Sequence, residues 1–273
     1  MPKSAAQLEL DPFLSLLVIS PSGGGKTRLT ATAPKPIYVF CSDDPTKLDS
    51  ATALDRTFVY DEINHSDGSK LLAQFESAIA EARRGIEAGK YKTVVWDTIT
   101  MFSATLLNAE LDATDKGNGP DGRQAYQTYG RRMINCVSRF LSLKCHRVVM
   151  AHYQEQSKPI DGQLKKEGEG ILPGIAGTIR QTIPGMFHDV VYLKKRLESE
   201  ERDLCLSLAG VYGPRFVGLP GVEKVPADLS ALVSRVAAKR EGKPVAAAKV
   251  AAPTKAVVPI RTAPKPAVSA VRR

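Results

Sequence analysis

Several protein classes are set aside by what this sequence has little of. Its longest apolar runs fall well short of the roughly 18–20 residues needed to cross a bilayer. The opening stretch, MPKSAAQLELDP, has no apolar core of the signal-peptide kind. The expectation is therefore a cytoplasmic protein with no membrane partner. Cysteine is sparse and scattered (Cys41, Cys136, Cys145, Cys205), with no C-x-x-C pair, which points to reduced thiols rather than a disulfide framework. His65, His146, His152 and His188 lack the spacing of zinc ligands.

Positive charge is abundant but badly distributed. The formal net charge is +9, yet the stretch 239–273 holds nine Lys/Arg against one Glu, a local net of +8 that leaves only +1 for residues 1–238. That stretch is an Ala/Lys/Pro/Val mixture without an aromatic residue, and it cannot bury enough surface to offset its ordering entropy. It reads as a disordered basic arm, suited to solubility or to salt-dependent contact with a phosphate backbone. The predicted organisation is an N-terminal extension over 1–11, one folded core over 12–236 and the tail over 237–273.

Within the core, apolar runs alternate with amphipathic stretches. LSLLVIS (14–20), IYVF (37–40), TVVWD (93–97) and RVVMAH (147–152) read as buried strands, continuous in apolar residues because both faces are covered. Helical spacing places Leu71, Phe75, Ile79, Ala82 and Ile86 on one face, and Ile99, Phe102, Leu106 and Leu107 on another. A third helix over 125–143 puts Tyr126, Tyr129, Met133, Val137 and Phe140 inward. KGNGPDGR (116–123) and the polar segment 154–174 read as loops. DVVYLKKR (189–196) and LCLSLAG (204–210) predict a hairpin around a charged turn. Strand–helix alternation of this kind means an α/β fold: a mainly parallel sheet with helices on both faces, here with a C-terminal β-hairpin.

The chemistry is concentrated in SPSGGGKT, residues 20–27. The pattern G-x-x-x-x-G-K-[ST] cradles nucleotide phosphates on backbone N–H groups, with the lysine reaching the β/γ-phosphates and the hydroxyl on Mg²⁺. Gly25, Lys26 and Thr27 fit it; Ser20 replaces the first glycine. Ser22, Gly23, Gly24, Gly25, Lys26, Thr27 and Arg28 are the predicted nucleotide contacts. Asp97, at the tip of a buried strand, has the form of the acid that holds Mg²⁺ through water. Thr98 follows it, not Glu, so the water-activating carboxylate must lie elsewhere; Asp43 and Asp44, beyond the second strand, are the candidates. His152 and Gln154, at and beyond the tip of RVVMAH, are placed to sense the γ-phosphate. ATP and Mg²⁺ are the expected ligands.

The order of these parts resembles the RecA-like core. It is similar to the short RecA-like P-loop ATP-binding proteins of bacteriophages, AAA-type ATPases that include ATP-dependent single-strand annealing proteins. The residues carrying the likeness are Ser20–Thr27, Asp97-Thr98-Ile99-Thr100, Tyr129-Gly130 and Ala151-His152, within a span of about residues 12–235. The resemblance implies single-stranded DNA as partner, annealing or strand exchange as the process, and head-to-tail self-assembly into a ring or filament. A phage or host single-strand-binding protein is a further implied partner. Two implied DNA-binding loops carry Lys116 and Arg123, and Tyr153, Lys158, Lys165 and Lys166; Tyr153 is the stacking candidate, whereas Tyr126 and Tyr129 read as core. Arg215, in VYGPRFVG, reads either as a surface arginine in a Gly-Pro turn or as a candidate arginine finger reaching a neighbour's γ-phosphate. The family pattern has Glu where this chain has Asp43 and Asp44, so slow hydrolysis is expected.

Other P-loop classes fit less of the sequence. A small-molecule kinase needs an arginine-bearing lid, and 154–173 contains no arginine. A helicase or packaging motor needs further domains. A nucleotide-gated binding module with little hydrolysis stays as the alternative, because no Glu follows Asp97.

Overall fold

The computed structural model describes residues 11–64, 67–115, 122–154, 171–196, 201–207, 216, 219 and 221–241. Their elements run β1 (Ser15–Ser20), α1 (Lys26–Thr30), β2 (Ile37–Cys41), α2 (Asp49–Thr52), β3 (Val59–Glu62), α3 (Gly68–Glu87), β4 (Thr93–Asp97), α4 (Ile99–Asp115) and α5 (Gly122–Leu141). After these come β5 (His146–Gln154), β6 (Leu172–Pro173), α6 (Ile179–Thr182), β7 (Asp189–Lys195), β8 (Arg202–Cys205), β9 (Lys224–Pro226) and α7 (Leu229–Arg240). The sheet order is β3-β2-β4-β5-β1-β7-β8-β9. The six strands from β3 to β7 are parallel, β8 and β9 add antiparallel, and β6 pairs with the far end of β5.

Side chains alternate across each central strand, so the sheet separates two apolar layers. Leu17, Ile19, Phe40, Trp96 and Val149 face α3, α4 and α5, where Phe75, Phe102 and Phe140 surround the indole of Trp96. Buried in this layer, the Trp96 Nε1–H donates to Ser42 Oγ at 2.9 Å, satisfying its polar handle. Leu16, Val18, Val39, Val95 and Val148 face the opposite way, against Leu29 of α1 and Leu229, Leu232 and Val236 of α7. The start of α7 is tied to the end of the α1 segment: Leu229 N donates to Thr32 Oγ1 and Ser230 N to Thr32 O, each at 3.0 Å. All four cysteines are buried free thiols. Among the described residues, no helix is long and apolar enough to cross a membrane.

The expected hairpin is present but shifted. β8 begins at Arg202, two residues before the predicted strand, because Arg202 and Asp203 pair with Lys195 and Lys194. Helix α5 begins at Gly122, inside the predicted loop 116–123. Helix α7 runs to Arg240, four residues beyond the predicted end of the core; there the Arg240 guanidinium donates to Asp11 O at 2.8 Å. The rest of the tail, 242–273, lies outside the described residues. Tyr129 is core, as its spacing predicts, with 1% of its surface exposed. Tyr126 is not: it is 45% exposed near the start of α5, where its ring lies against the backbone of Gly177 rather than inside the apolar layer.

Candidate functional site

The site is built at the carboxyl ends of four parallel strands. Strand β5 lies between β1 and β4, with Ser20 level with His152 and Asp97 level with Met150. This insertion sets His152 between the glycine-rich turn that follows β1 and the carboxylate that ends β4. A cavity of about 330 Å³ opens there, lined by Gly23, Lys26, Thr27, Asp43, Asp97 and His152 among others.

The turn itself explains the unusual Ser20. A Cβ on Gly24 would stand 1.9 Å from Ser20 Oγ and 3.2 Å from Ser20 Cβ. The serine therefore takes the space that a side chain at position 24 would need, and its hydroxyl is buried with no hydrogen-bond partner. Gly25 answers a second demand, with φ of +92°, a conformation that side chains disfavour. Overpacking of this kind costs about 1–3 kcal/mol. Gly24→Ala is accordingly expected to weaken nucleotide binding by about ten- to a hundredfold, measured by fluorescent-nucleotide titration. Adding Ser20→Gly, which vacates the contested space, should recover most of the loss; no recovery would mean that Ser20 does not set the fit.

Lys26 is buried, and its ammonium is fully engaged. It donates to Ser20 O at 3.0 Å and to Pro21 O at 2.9 Å, and lies 3.1 Å from His152 Nδ1. Burial lowers its pKa to about 8, against the opposing pull of Asp97 and Asp43. An ammonium can only donate, so His152 Nδ1 accepts and the ring proton sits on Nε2. Burial and the Lys26 charge hold the His152 pKa below its ordinary value, in keeping with a neutral imidazole. His152 is fixed from the other side by its backbone N–H, which donates to Thr100 Oγ1 at 2.9 Å.

Asp97 is 3% exposed, and burial pushes its pKa up to about 6, against a hydrogen bond from Thr27 and the charge of Lys26. A hydroxyl and a carboxylate joined in this way form a hard-oxygen pair. With phosphate oxygens and water completing the shell they fit Mg²⁺, which favours such ligands. No cluster of three or more His, Cys, Asp or Glu suited to a metal occurs among the described residues, so the protein's share of a metal site here is small.

The two acids beyond β2 separate in role. Asp44 caps a short 3-10 turn, accepting from Thr46 N at 2.9 Å and Thr46 Oγ1 at 2.8 Å, and these bonds hold its pKa below the usual range. Asp43 is much less exposed and accepts from Lys47 Nζ at 2.7 Å. Asp43 is therefore the better-placed carboxylate, and Lys47 is a second cation at the cavity that no motif announces.

The remaining predicted residues are less concentrated. Arg28 is exposed on α1 and lines the cavity. Arg123 is exposed in the first turn of α5. Tyr153 is half-buried, its ring edge-on to Tyr192 with centroids 5.9 Å apart, and packs against the core rather than standing clear as a stacking platform. The backbone of Gln154 pairs with Leu172, while its side chain lies outside the described residues. Lys116, Lys158, Lys165, Lys166 and Arg215 also lie outside them. Besides Lys47, the sequence-based set misses Arg202 of β8 at the cavity, whose Nε donates to Gly24 O at 3.0 Å from 178 positions away. Its alternation within a short strand offers no signal for this contact.

A family profile described as "AAA domain" matches residues 13–215. The chain belongs to this AAA family. Its mostly parallel sheet with helices on both faces, carrying the glycine-rich turn on a central strand, is the RecA-like P-loop ATPase fold. No curated protein matches the sequence. Among solved structures, a prototypical ATPase from the type III secretion system of pathogenic bacteria is similar at 12% identity and a TM-score of 0.44, over 66% of this chain and 51% of that one. The assembled ATPase EscN from the enteropathogenic E. coli type III secretion system is similar at 12% identity and a TM-score of 0.43, over 66% and 43%. The chain thus spans about half the length of these ATPases, or less.

Proposed function

We propose that this AAA-family domain binds ATP with Mg²⁺ in the β1–α1 cradle, hydrolyses it slowly, and uses the state of the γ-phosphate to control binding of single-stranded DNA. The observation that carries the ATPase reading is the convergence of Lys26, Thr27, Asp97 and His152 on one cavity at the carboxyl edge of the sheet. Lys26 neutralises the β/γ-phosphates. Thr27 and Asp97 hold Mg²⁺, which when bound screens phosphate charge. Asp43 orients the attacking water, and one of its oxygens is already engaged by Lys47 Nζ, in keeping with slow turnover.

His152 carries the switch in this reading. Its Nδ1 lies 3.1 Å from Lys26 Nζ, and a γ-phosphate that draws the ammonium away would release it. The segment that carries Lys158, Lys165 and Lys166 follows β5, whose His152 lines the cavity, whereas the segment that carries Lys116 and Arg123 follows α4, the helix that begins beside Asp97-Thr98. Exposed Arg123 on a helix without acidic residues, and the basic tail, supply charge suited to a phosphate backbone. Head-to-tail assembly of copies along one strand, promoting annealing or strand exchange in a phage-type recombination role, completes the proposal.

Steady-state ATP turnover with and without single-stranded DNA is the test. Single-stranded DNA is expected to change turnover severalfold, and duplex DNA much less. ATP hydrolysis indifferent to both would contradict the DNA reading while leaving the ATPase reading in place. The second reading, a nucleotide-gated module with negligible hydrolysis, draws on the Asp43–Lys47 pair; DNA affinity that depends on ATP without measurable phosphate release would establish it.

A further inference from the structure

A second cavity, of about 590 Å³, opens on the other side of the glycine-rich turn. Its walls include the apolar side chains of Leu29, Leu54, Pro226 and Ala227. Beside these apolar groups it is lined by Arg28, Arg196 and Arg202, with Glu201 and Thr32, a mixed apolar and cationic wall of the kind that can hold a small charged molecule. Gly25, Arg28 and Arg202 line both cavities and so form the junction between them.

Arg202 is held at this junction. Its Nε donates to Gly24 O, and its stem crosses the turn so closely that a Cβ on Gly25 would lie 2.8 Å from Arg202 Cδ. The acids on either side of it in sequence have another partner: Arg196 donates to Asp203 at 2.7 and 2.8 Å and pairs with Glu201. Strand β8 is itself fixed by its antiparallel pairing with β7 and β9. The C-terminal strands thus present a guanidinium to the phosphate turn in a defined place.

We propose that Arg202 is a nucleotide-binding residue supplied by the same chain, standing between the cradle and a nucleoside subsite in the second cavity, where its guanidinium meets the α-phosphate. This inference rests on the ATP-binding reading above. Its logic is positional: with the terminal phosphates at Lys26 and Thr27 and the nucleoside against Leu29 and Pro226, the α-phosphate falls at the junction. A planar guanidinium with several N–H groups can keep Gly24 O on Nε while offering its terminal nitrogens to phosphate oxygens.

The test is equilibrium binding of fluorescent ATP and ADP to the full chain carrying Arg202→Met, which keeps the stem over Gly25, and Arg202→Lys, which keeps the charge. Arg202→Met is expected to lose about ten- to a hundredfold in affinity for ATP and ADP alike, because both carry the α-phosphate. Arg202→Lys, which keeps the charge but not the guanidinium's bond to Gly24 O, should recover part of that loss, and at saturating ATP the turnover should fall by less than the affinity does. Unchanged affinity in Arg202→Met would overturn the inference. Equal losses in Arg202→Met and Arg202→Lys would overturn it too, showing only a loop brace. Turnover lost with affinity kept would assign Arg202 to the γ-phosphate instead. Wild-type protein that binds no nucleotide would overturn the ATPase reading and this inference together, whereas the other failures leave that reading standing.

Discussion

Asp97→Asn is expected to make the nucleotide-free protein more stable while removing most of its Mg²⁺-dependent turnover. In the folded chain, burial raises the Asp97 pKa from 3.8 to about 6. The folded state therefore holds its proton more tightly than the unfolded chain, and stability falls as pH rises from about 4 to about 6. Above pH 6 the penalty is fully present; below about 4 it vanishes. Two pKa units correspond to about 3 kcal/mol. That net shift already sets the attraction of Lys26 and the Thr27 hydrogen bond against the cost of burial. A gain of about 1–3 kcal/mol at pH 7.5, shrinking toward zero at pH 4, is the expected result in denaturant melts. The same substitution weakens the hold on the metal, and loss of such a supporting carboxylate commonly costs about 10–100-fold in metal affinity or activity. Gain of stability and loss of turnover in one variant mark a residue kept for its chemistry; a destabilised Asn variant with normal turnover would contradict this account of Asp97.

Lys26→Ala carries the larger effect on ligand. Hydrogen bonds to charged groups contribute about 1.5–3 kcal/mol each, and Lys26 is the one ammonium buried in the cradle among the described residues. Its removal also leaves Ser20 O, Pro21 O and His152 Nδ1 without their shared donor. A loss of a hundredfold or more in ATP affinity follows. The pH dependence has a definite sign. Free Lys26 gives up its proton near pH 8, and bound phosphate requires the proton, so wild-type affinity should be flat below pH 8 with respect to this group and fall as pH rises above it. That decline should be absent from the residual binding of Lys26→Ala.

The parts of the fold legible from sequence are those whose environment is uniform along the chain. Strands β1, β2, β4 and β5 are covered on both faces and read as unbroken apolar runs. Strand β3 is an edge strand with mostly exposed Val59, Tyr60 and Glu62, so no pattern marks it. Helix α7 hides in an Ala- and Lys-rich context, its inward face reduced to Leu229, Leu232 and Val236. Tyr126 fails the spacing rule for a local reason: it sits one turn into α5, where the seam with the 171–182 segment is only as deep as Gly177. In the site, Lys26, Thr27 and Asp97 are announced by motif because strand, turn and acid recur in a fixed order. The choice between Asp43 and Asp44 is not, because it depends on which carboxylate is taken up by the turn at Thr46. Arg202 depends on an antiparallel strand folding back across the phosphate turn, a tertiary fact with no local trace.

The most direct test of the central claim is calorimetric titration of ATP and Mg²⁺ into the wild-type chain and into Lys26→Ala, with the fold of both confirmed by circular dichroism. The account predicts one nucleotide bound per wild-type chain and binding lost or weakened at least a hundredfold in Lys26→Ala. A folded wild-type protein that takes up no ATP, or a Lys26→Ala variant that binds it as tightly, would contradict it.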